Sequence, residues 1–246
     1  MSLVQEEGKD EVHFPKRRDV FEFDEEVAAI FPSMALRSIP MYAEVHRLHA
    51  ALLKRMFVGR PMDVLDVGAS RGHFLREICN QLQNTEEARW LGCYAMEKSA
   101  PMVARIKEEF PHILCVEQDV TTLPDLGQQF DVISMLYVLQ FIPNAQKRGV
   151  LEWAYAHLRK GGVLILGQKE HTETRSNHHV EHDEYIQFRM DNGYTAEEIE
   201  AKTAALRNSM WCVEHDDLYY VLDDIGFYGM HDTSRWLMFS TLMARR

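Results

Sequence analysis

The run Val64-Leu65-Asp66-Val67-Gly68-Ala69-Ser70-Arg71-Gly72-His73-Phe74 decides how this chain folds. Apolar residues lead to an acid, a turn with two glycines follows, and an amphipathic segment comes next. This order predicts a β-strand, a tight loop and an α-helix. Glycine lets a ligand approach the backbone without meeting a Cβ atom. The first turn of the helix offers unpaired N–H groups to an electron-rich ligand, so the loop is a candidate binding site.

Three classes of protein place such a loop between a strand and a helix. Residues 68–72 match G-x-S-x-G, the nucleophile elbow of α/β-hydrolases, but in that fold other strands precede the elbow. Dinucleotide-binding loops need the spacing G-x-G-x-x-G, which this loop lacks. An acid followed by glycine-spaced small residues after the first strand is usual in proteins that bind S-adenosylmethionine (SAM). The rest of the chain favours this third class.

Apolar and amphipathic segments alternate along the chain. Strands are predicted at residues 63–67, 90–96, 113–117, 131–136 and 163–166, with helices at 72–82, 101–110 and 144–158. A terminal hairpin is predicted over 228–231 and 236–243. Strands that alternate with helices indicate a parallel sheet covered on both faces. We therefore expect an α/β fold with a doubly wound, mostly parallel seven-stranded sheet, which by analogy is the Rossmann-like methyltransferase fold.

Further helices flank this alternating region. One begins after Asp24 as N-cap and is expected to stop near Pro32, and a second opens at Pro40. Later helices are predicted at residues 181–190, 195–210 and 215–225. We expect residues 1–20 to be a flexible tail and residues 21–246 to form one SAM-binding domain. The helical elements within 21–58 and 171–225 are expected to cover the ligand edge of the sheet as a lid.

Composition limits the partners and the compartment. The chain has 246 residues, of which 46% are hydrophobic, and this suits one globular domain. No apolar run approaches the ~20 residues that span a bilayer, and the N-terminus lacks the apolar core of a signal peptide. A net charge of −11 disfavours broad electrostatic binding to nucleic acid or anionic membranes. We expect a cytoplasmic protein with a small-molecule substrate and no direct nucleic-acid or membrane partner.

Acids follow the predicted strands where a nucleoside would lie. Asp66 is placed to accept bonds from the loop or from a ligand ammonium group. Glu97, just past the second strand, suits the two ribose hydroxyls. Asp119 suits the adenine amino group, with Val120 packing on the ring. The fourth strand ends at Leu136. Neither an Asp/Asn-Pro-Pro-aromatic run nor a Pro-Cys pair stands there, which disfavours enzymes that methylate DNA bases.

Four histidines raise the alternative of a metal site. They are His171, His178, His179 and His182. His178 and His182 are four positions apart and share one face of a predicted helix. A metal site needs further ligands and partners that hold them, so we expect no metal here.

Several stretches together are similar to the carboxy-SAM synthase family, from residue 23 to the C-terminus. These stretches are residues 23–27, 31–34, 37–42, 139–141, 161–164, 192–194 and 226–227. Residues 37–42 and 192–194 are the more specific ones, because methyltransferases in general lack them. The resemblance and the loop together predict cofactor contacts at Tyr42, Asp66, Gly68, Ala69, Ser70, Gly72, Glu97, Lys98, Asp119, Val120 and Leu136.

The chain departs from the family pattern at three places. The family usually has Asp-Asn where this chain has Glu97-Lys98, and asparagine where it has Leu136. An arginine that pairs with the added carboxylate in the family is replaced by Thr203. Threonine cannot make a bidentate charged contact with a carboxylate. Arg207, one helical turn further along, is the candidate replacement.

Three functions follow from these observations. The first is SAM-dependent methyl transfer to a small substrate, with Tyr137, Lys169 and His171 near the reacting methyl group. The second, implied by the resemblance, is synthesis of carboxy-SAM from SAM and prephenate for tRNA wobble-uridine modification, with Arg207 holding the carboxylate. The third is a non-catalytic SAM-binding regulator. The resemblance also implies a homodimer and SAM or carboxy-SAM as cofactor, and the catalytic candidates are Tyr137, Lys169 and Arg207.

Overall fold

A computed structural model describes residues 23–83 and 85–246, so the expected tail at 1–20 lies outside the described residues. One seven-stranded sheet has the order β3-β2-β1-β4-β5-β7-β6. Its strands are β1 (Met62–Val67), β2 (Leu91–Glu97), β3 (Leu114–Glu117), β4 (Phe130–Leu136), β5 (Leu158–Lys169), β6 (Tyr228–Trp236) and β7 (Phe239–Arg245). The strands β1 to β5 pair in parallel, whereas β7 is antiparallel to both β5 and β6. The predicted mostly parallel sheet is confirmed.

Helices cover both faces of the sheet. They are α1 (Glu25–Ser38), α2 (Tyr42–Met56), α3 (His73–Leu82), α4 (Ala100–Glu109), α5 (Asn144–His157), α6 (His178–Asp191), α7 (Ala196–Leu206) and α8 (His215–Ile225). Side chains alternate along β1, so Leu65 packs in a core with α5 and α8, and Val64 in a core with α2, α3 and α4. Among the described residues, no helix is long and apolar enough to cross a membrane.

The expected end of the first helix near Pro32 is wrong, because α1 continues to Ser38. Proline has no backbone N–H, so the Ala28 carbonyl loses its usual helical donor. Arg71 Nη1 lies 3.4 Å from this oxygen and donates to it. The sequence pattern around Pro32 gives no sign of this donor, which comes from another element.

Other helix limits shift by a few residues. The second helix begins at Tyr42 rather than Pro40, after Met41 in a left-handed conformation with φ of 59°. The helix predicted over 181–190 begins at His178 instead, and the one predicted over 195–210 ends at Leu206. The predicted Asp24 cap is confirmed. Thr195 and Glu198 form a capping box at the start of α7, and Gly226 ends α8 in a left-handed conformation.

Two stretches that are specific to the resemblance contact each other. Arg37 Nε and Nη2 donate to the carbonyls of Asn192 and Gly193 at 2.8 Å and 2.6 Å. The Arg37 guanidinium lies 4.1 Å from the centre of the Tyr194 ring. The Ser38 hydroxyl lies 3.0 Å from the Tyr194 hydroxyl. These contacts join the end of α1 to the turn between α6 and α7.

Candidate active site

A cavity of about 450 Å³ lies at the carboxyl ends of the central strands. Its walls include the loop at residues 68–70, the ends of β1, β2, β4 and β5, and side chains from α1, α2, α6 and α7. Ligands in doubly wound sheets bind at this edge, where the strand order reverses. The helices expected to form a lid therefore line the same cavity as the loop.

The loop after β1 adopts a backbone shape that glycine favours. Gly68 has φ of 66°, and a Cβ atom there would lie 2.5 Å from Val138 Cγ2. The Gly68 N–H donates to the Met96 carbonyl at 2.7 Å, which fixes the loop to β2. Ser70 has φ of 54°, a strained conformation for a residue with a side chain. Gly72, with φ of 70°, leads into α3.

The Asp66 carboxylate is buried at the end of β1. Its Oδ1 accepts a hydrogen bond of 2.6 Å from the Ser134 hydroxyl. Burial raises the pKa of Asp66 to about 7, the Ser134 hydrogen bond opposes this rise, and the Glu97 charge adds to it. An acid in this setting favours a cationic ligand, because a nearby positive charge stabilises the ionised form.

Glu97 is buried and ties two loops together. Its Oε2 accepts from the Ser70 N–H at 2.8 Å and its Oε1 from the Ser99 N–H at 2.9 Å. Burial raises the pKa of Glu97 despite these hydrogen bonds. Each carboxylate oxygen has a second acceptor position for a ligand hydroxyl. Lys98, the next residue, is exposed at the rim of the cavity.

Asp119 follows β3 and organises a turn. Its Oδ1 accepts from the backbone N–H of Thr121 at 2.9 Å and from the Thr121 hydroxyl at 2.7 Å. The next residue, Val120, is buried and also lines the cavity. A carboxylate beside an apolar side chain can accept from an amino group while the apolar group packs on its ring.

Two tyrosines contribute to the cavity, Tyr42 from the start of α2 and Tyr137 from just after β4. The ring centres of Tyr42 and Tyr137 are 6.1 Å apart, and both residues line the cavity. Tyr137 has φ of 64°, which is strained for an aromatic residue. Burial raises the pKa of both phenols, so they stay protonated at neutral pH and act as hydrogen-bond donors. Leu136, just before Tyr137, also lines the cavity.

The remaining candidates line the same cavity. Lys169 ends β5 with its Nζ 4.7 Å from the centre of the Tyr185 ring, and burial lowers its pKa. The Thr203 hydroxyl donates to the Ile199 carbonyl at 2.7 Å. Arg207 is exposed at the end of α7, where it borders the cavity. His171 also lines the cavity, and its Nε2 lies 3.5 Å from Glu173 Oε2.

Of the four histidines considered for a metal, His178, His179 and His182 lie on α6, whereas His171 follows β5. His178 and His179 form an edge-on ring pair, and His182 lines the cavity. Within residues 23–83 and 85–246, no three His, Cys, Asp or Glu side chains are grouped to hold a metal ion.

The sequence analysis missed two buried cations, Arg189 and Lys202. Arg189 is 5% exposed and Lys202 is 6% exposed, and both line the cavity. Each stands on a helix, where a lone basic residue is most often a solvated side chain. The sequence did offer one signal, which is that both residues lie within eight positions of residues 192–194, one of the stretches that carry the resemblance.

The groups at the cavity wall have the polar and charged character that a nucleoside with a charged sulfur requires. Two polar atoms at its wall, Ser70 Oγ and His73 Nδ1, are buried without a hydrogen-bond partner among the described residues. The bare backbone at Gly68 leaves space for a ligand, and three carboxylates stand at neighbouring strand ends. Together these groups supply donors for a polar ligand and negative charge for a sulfonium.

Comparison with known proteins places the chain among methyltransferase-fold proteins. The sequence profile of a family described as "Methyltransferase domain" matches residues 41–220. The carboxy-S-adenosyl-L-methionine synthase of Desulfotalea psychrophila is 31% identical over 236 residues, covering 94% of each chain. That of Pseudoalteromonas translucida is 32% identical over 213 residues, covering 84% of this chain and 86% of the relative.

Solved structures share the fold. A SAM-bound amino pentose methyltransferase from Micromonospora echinaspora has a TM-score of 0.61 at 16% identity, covering 88% of this chain and 96% of that one. Magnesium protoporphyrin IX methyltransferase from Synechocystis, with bound SAH, has a TM-score of 0.57 at 15% identity, covering 83% of each chain. With the profile match and the relatives, this fold makes SAM the cofactor of the chain. The chain belongs to the carboxy-S-adenosyl-L-methionine synthase family of methyltransferase-fold proteins and is a SAM-dependent transferase.

Proposed function

We propose that the chain binds SAM across the ends of β1, β2 and β3 and transfers its methyl group to a small molecule. The observation that carries this proposal is that Asp66, Glu97 and Asp119 line one cavity with the glycine loop. In this arrangement Glu97 holds the ribose, Asp119 and Val120 hold the adenine, and Asp66 faces the cationic part of the cofactor.

The proposed chemistry needs little covalent help from the protein. SAM supplies a methyl group on a sulfonium, which is a good leaving group. The chain positions an acceptor in line and excludes water, and such positioning accounts for a large part of a rate enhancement. Tyr137 is a donor rather than a base, because burial raises the pKa of its phenol. Lys169 would act as a base only in its neutral form, which burial favours by lowering the pKa of its amine.

Thr203 supports methyl transfer over carboxy-SAM synthesis. The resemblance places an arginine there that pairs with the carboxylate on the cofactor. In this chain the Thr203 hydroxyl instead donates to its own helix, and the residue is exposed. A neutral hydroxyl cannot compensate a carboxylate charge in a closed site.

Mass spectrometry of the cofactor that co-purifies with the protein tests the proposal. We expect SAM or its demethylated product, and calorimetry with added SAM should show one site per chain. A cofactor heavier than SAM by one carboxyl group would contradict plain methyl transfer. Failure of the purified chain to bind SAM at all would contradict the proposed site.

Carboxy-SAM synthase activity is the second candidate. It is favoured by the curated relatives, which bear that name and match over nearly the whole chain. In this case Arg207, which borders the cavity at the end of α7, is the candidate partner for the carboxylate. The test is production of carboxy-SAM from SAM and prephenate by the wild type and by Arg207→Ala. Unchanged production by the variant would exclude Arg207 from that role.

A further inference from the structure

Charge is divided across the cavity. The carboxylates of Asp66 and Glu97 stand at the ends of β1 and β2, whereas Lys169 ends β5 on the other side of β4. Arg189 on α6 and Lys202 on α7 line the cavity with Lys169. We refer to Lys169, Arg189 and Lys202 as the cationic wall. A cationic cofactor beside the carboxylates would leave this wall facing whatever binds next to it.

Aromatic rings, rather than carboxylates, surround two members of the cationic wall. Lys169 Nζ lies 4.7 Å from the centre of the Tyr185 ring, and Arg189 Cζ lies 4.5 Å from the same centre. Among the residues that the structure describes, neither side chain forms an ion pair within 4.0 Å. Arg189 Nε is buried and has no hydrogen-bond partner in this part of the chain.

Lys202 is held in place by hydroxyl groups. Its Nζ donates to Ser38 Oγ at 2.6 Å and to the Tyr194 hydroxyl at 3.3 Å. Burial, together with repulsion from Arg189, Arg37 and Lys169, lowers the pKa of Lys202 to about 7. The members of the wall therefore repel one another in a buried setting, which is costly unless an anion neutralises them.

We propose that Lys169, Arg189 and Lys202 form a subsite for a carboxylate that binds next to the sulfonium of SAM. The proposal rests on the proposed function, because it assumes that SAM occupies the carboxylate side of the cavity. Arg189 supplies the donor that fits a carboxylate in a planar, paired manner, and the two lysines supply charge. Arg189 thus carries out, from α6, the pairing that Thr203 on α7 cannot provide.

The carboxylate has two sources with the same chemistry. It belongs either to a separate acid substrate or to a group on the methyl carbon of the cofactor. The first source makes the substrate of methyl transfer a small organic acid. The second makes the chain a carboxy-SAM enzyme that lacks the usual arginine, with Arg189 rather than Arg207 as the partner.

Calorimetry on the full chain separates these sources. One arm compares SAM with carboxy-SAM, and the other titrates prephenate into protein saturated with SAH. Each arm uses the wild type, Arg189→Gln, and the control Arg55→Gln, which removes an exposed charge of α2 outside the cavity. We expect at least one carboxylate probe to bind Arg189→Gln tenfold or more weakly, with Kd values for SAM and SAH changed less than twofold. Arg55→Gln should match the wild type throughout.

Several results would overturn the subsite. The first is that the wild type binds neither carboxylate probe. The second is that Arg189→Gln binds both probes as tightly as the wild type does. Equal weakening of SAM, SAH and the probes would assign the cationic wall to the cofactor's own carboxylate. If Arg189→Gln fails to fold by circular dichroism, Lys169→Gln tests the same expectation. Loss of SAM binding by the wild type would instead contradict the proposed function.

Discussion

The carboxylates of Asp66, Glu97 and Asp119 stand at or just past the carboxyl ends of parallel strands, yet the protein holds each one differently. Asp66 is buried beside a hydroxyl, Glu97 accepts two backbone N–H groups, and Asp119 organises a turn. The sequence predicted all three positions from their place after a strand. Ser134 and Ser70, which donate to Asp66 and Glu97, lie on another strand and another loop, so these contacts needed the structure.

Removal of the Glu97 or Asp119 carboxylate should weaken SAM binding. We expect Glu97→Ala and Asp119→Ala each to raise the Kd about tenfold, or 1–2 kcal/mol, as for a lost hydrogen bond to a charged group. Glu97→Ala should also lower the melting temperature more, because two backbone N–H groups lose their acceptor. Glu108→Ala on α4, which removes an exposed acid, is the control. Unchanged affinity in both variants by calorimetry would show that the cofactor lies elsewhere.

Protonation of Asp66 should appear in the pH dependence of stability. Its pKa is raised from 3.8 to about 7, so the folded state retains the proton over this range while the unfolded state loses it. The contribution of Asp66 to stability is therefore complete below about pH 4 and is lost as the pH rises to about 7. We expect cofactor-free Asp66→Asn to be ~2–4 kcal/mol more stable than the wild type at pH 8. The difference should shrink at pH 5 in urea unfolding, and a larger difference at pH 5 would contradict it.

At the scale of elements, the loop after β1 and the helices opposite it define the cavity. The loop depends on local backbone geometry, which glycine spacing reveals. Helix α1 continues past Pro32, and Arg71 from another element donates to the Ala28 carbonyl that proline leaves without its helical donor. This explains why the sequence predicted the loop correctly but ended α1 too early.

Substitution of Gly68 should damage the loop in two separable ways. In Gly68→Ala the new Cβ meets Val138, and the positive φ adds strain of about 1–2 kcal/mol. Gly127→Ala, at φ of 65° with open space around it, has the strain alone. We expect Gly68→Ala to lose more stability and SAM affinity than Gly127→Ala, and Val138→Ala in the same chain to restore part of both. Equal losses in the two single variants, measured by urea unfolding and calorimetry, would show that contact with Val138 is unimportant.

At the scale of the molecule, helices from both ends of the sequence cover a single sheet edge. The contacts of Arg37 and Ser38 with residues 192–194 fasten α1 to the turn between α6 and α7. We propose that these helices act together as a lid over the bound cofactor.

Amide hydrogen exchange should show whether the lid helices respond to SAM. We expect SAM to slow amide exchange in α1, α6 and α7, which line the cavity, more than in α8 and β6, which do not. The reason is that ligand contacts link the covering helices to the sheet. Equal slowing in every element, measured by mass spectrometry, would indicate general stabilisation and contradict a lid.

The sequence by itself determined the sheet, the loop and the acids that follow its strands. These features depend on patterns of a few neighbouring residues, such as alternating burial in a strand or the glycine spacing of a turn. Only the tertiary structure decided which cations enter the cavity and how the helices above it are joined. Arg37 and Asn192 lie 155 positions apart in the sequence. Lys169, Arg189 and Lys202 line the same cavity from three different elements. Such meetings depend on how whole elements pack, and no local pattern records them.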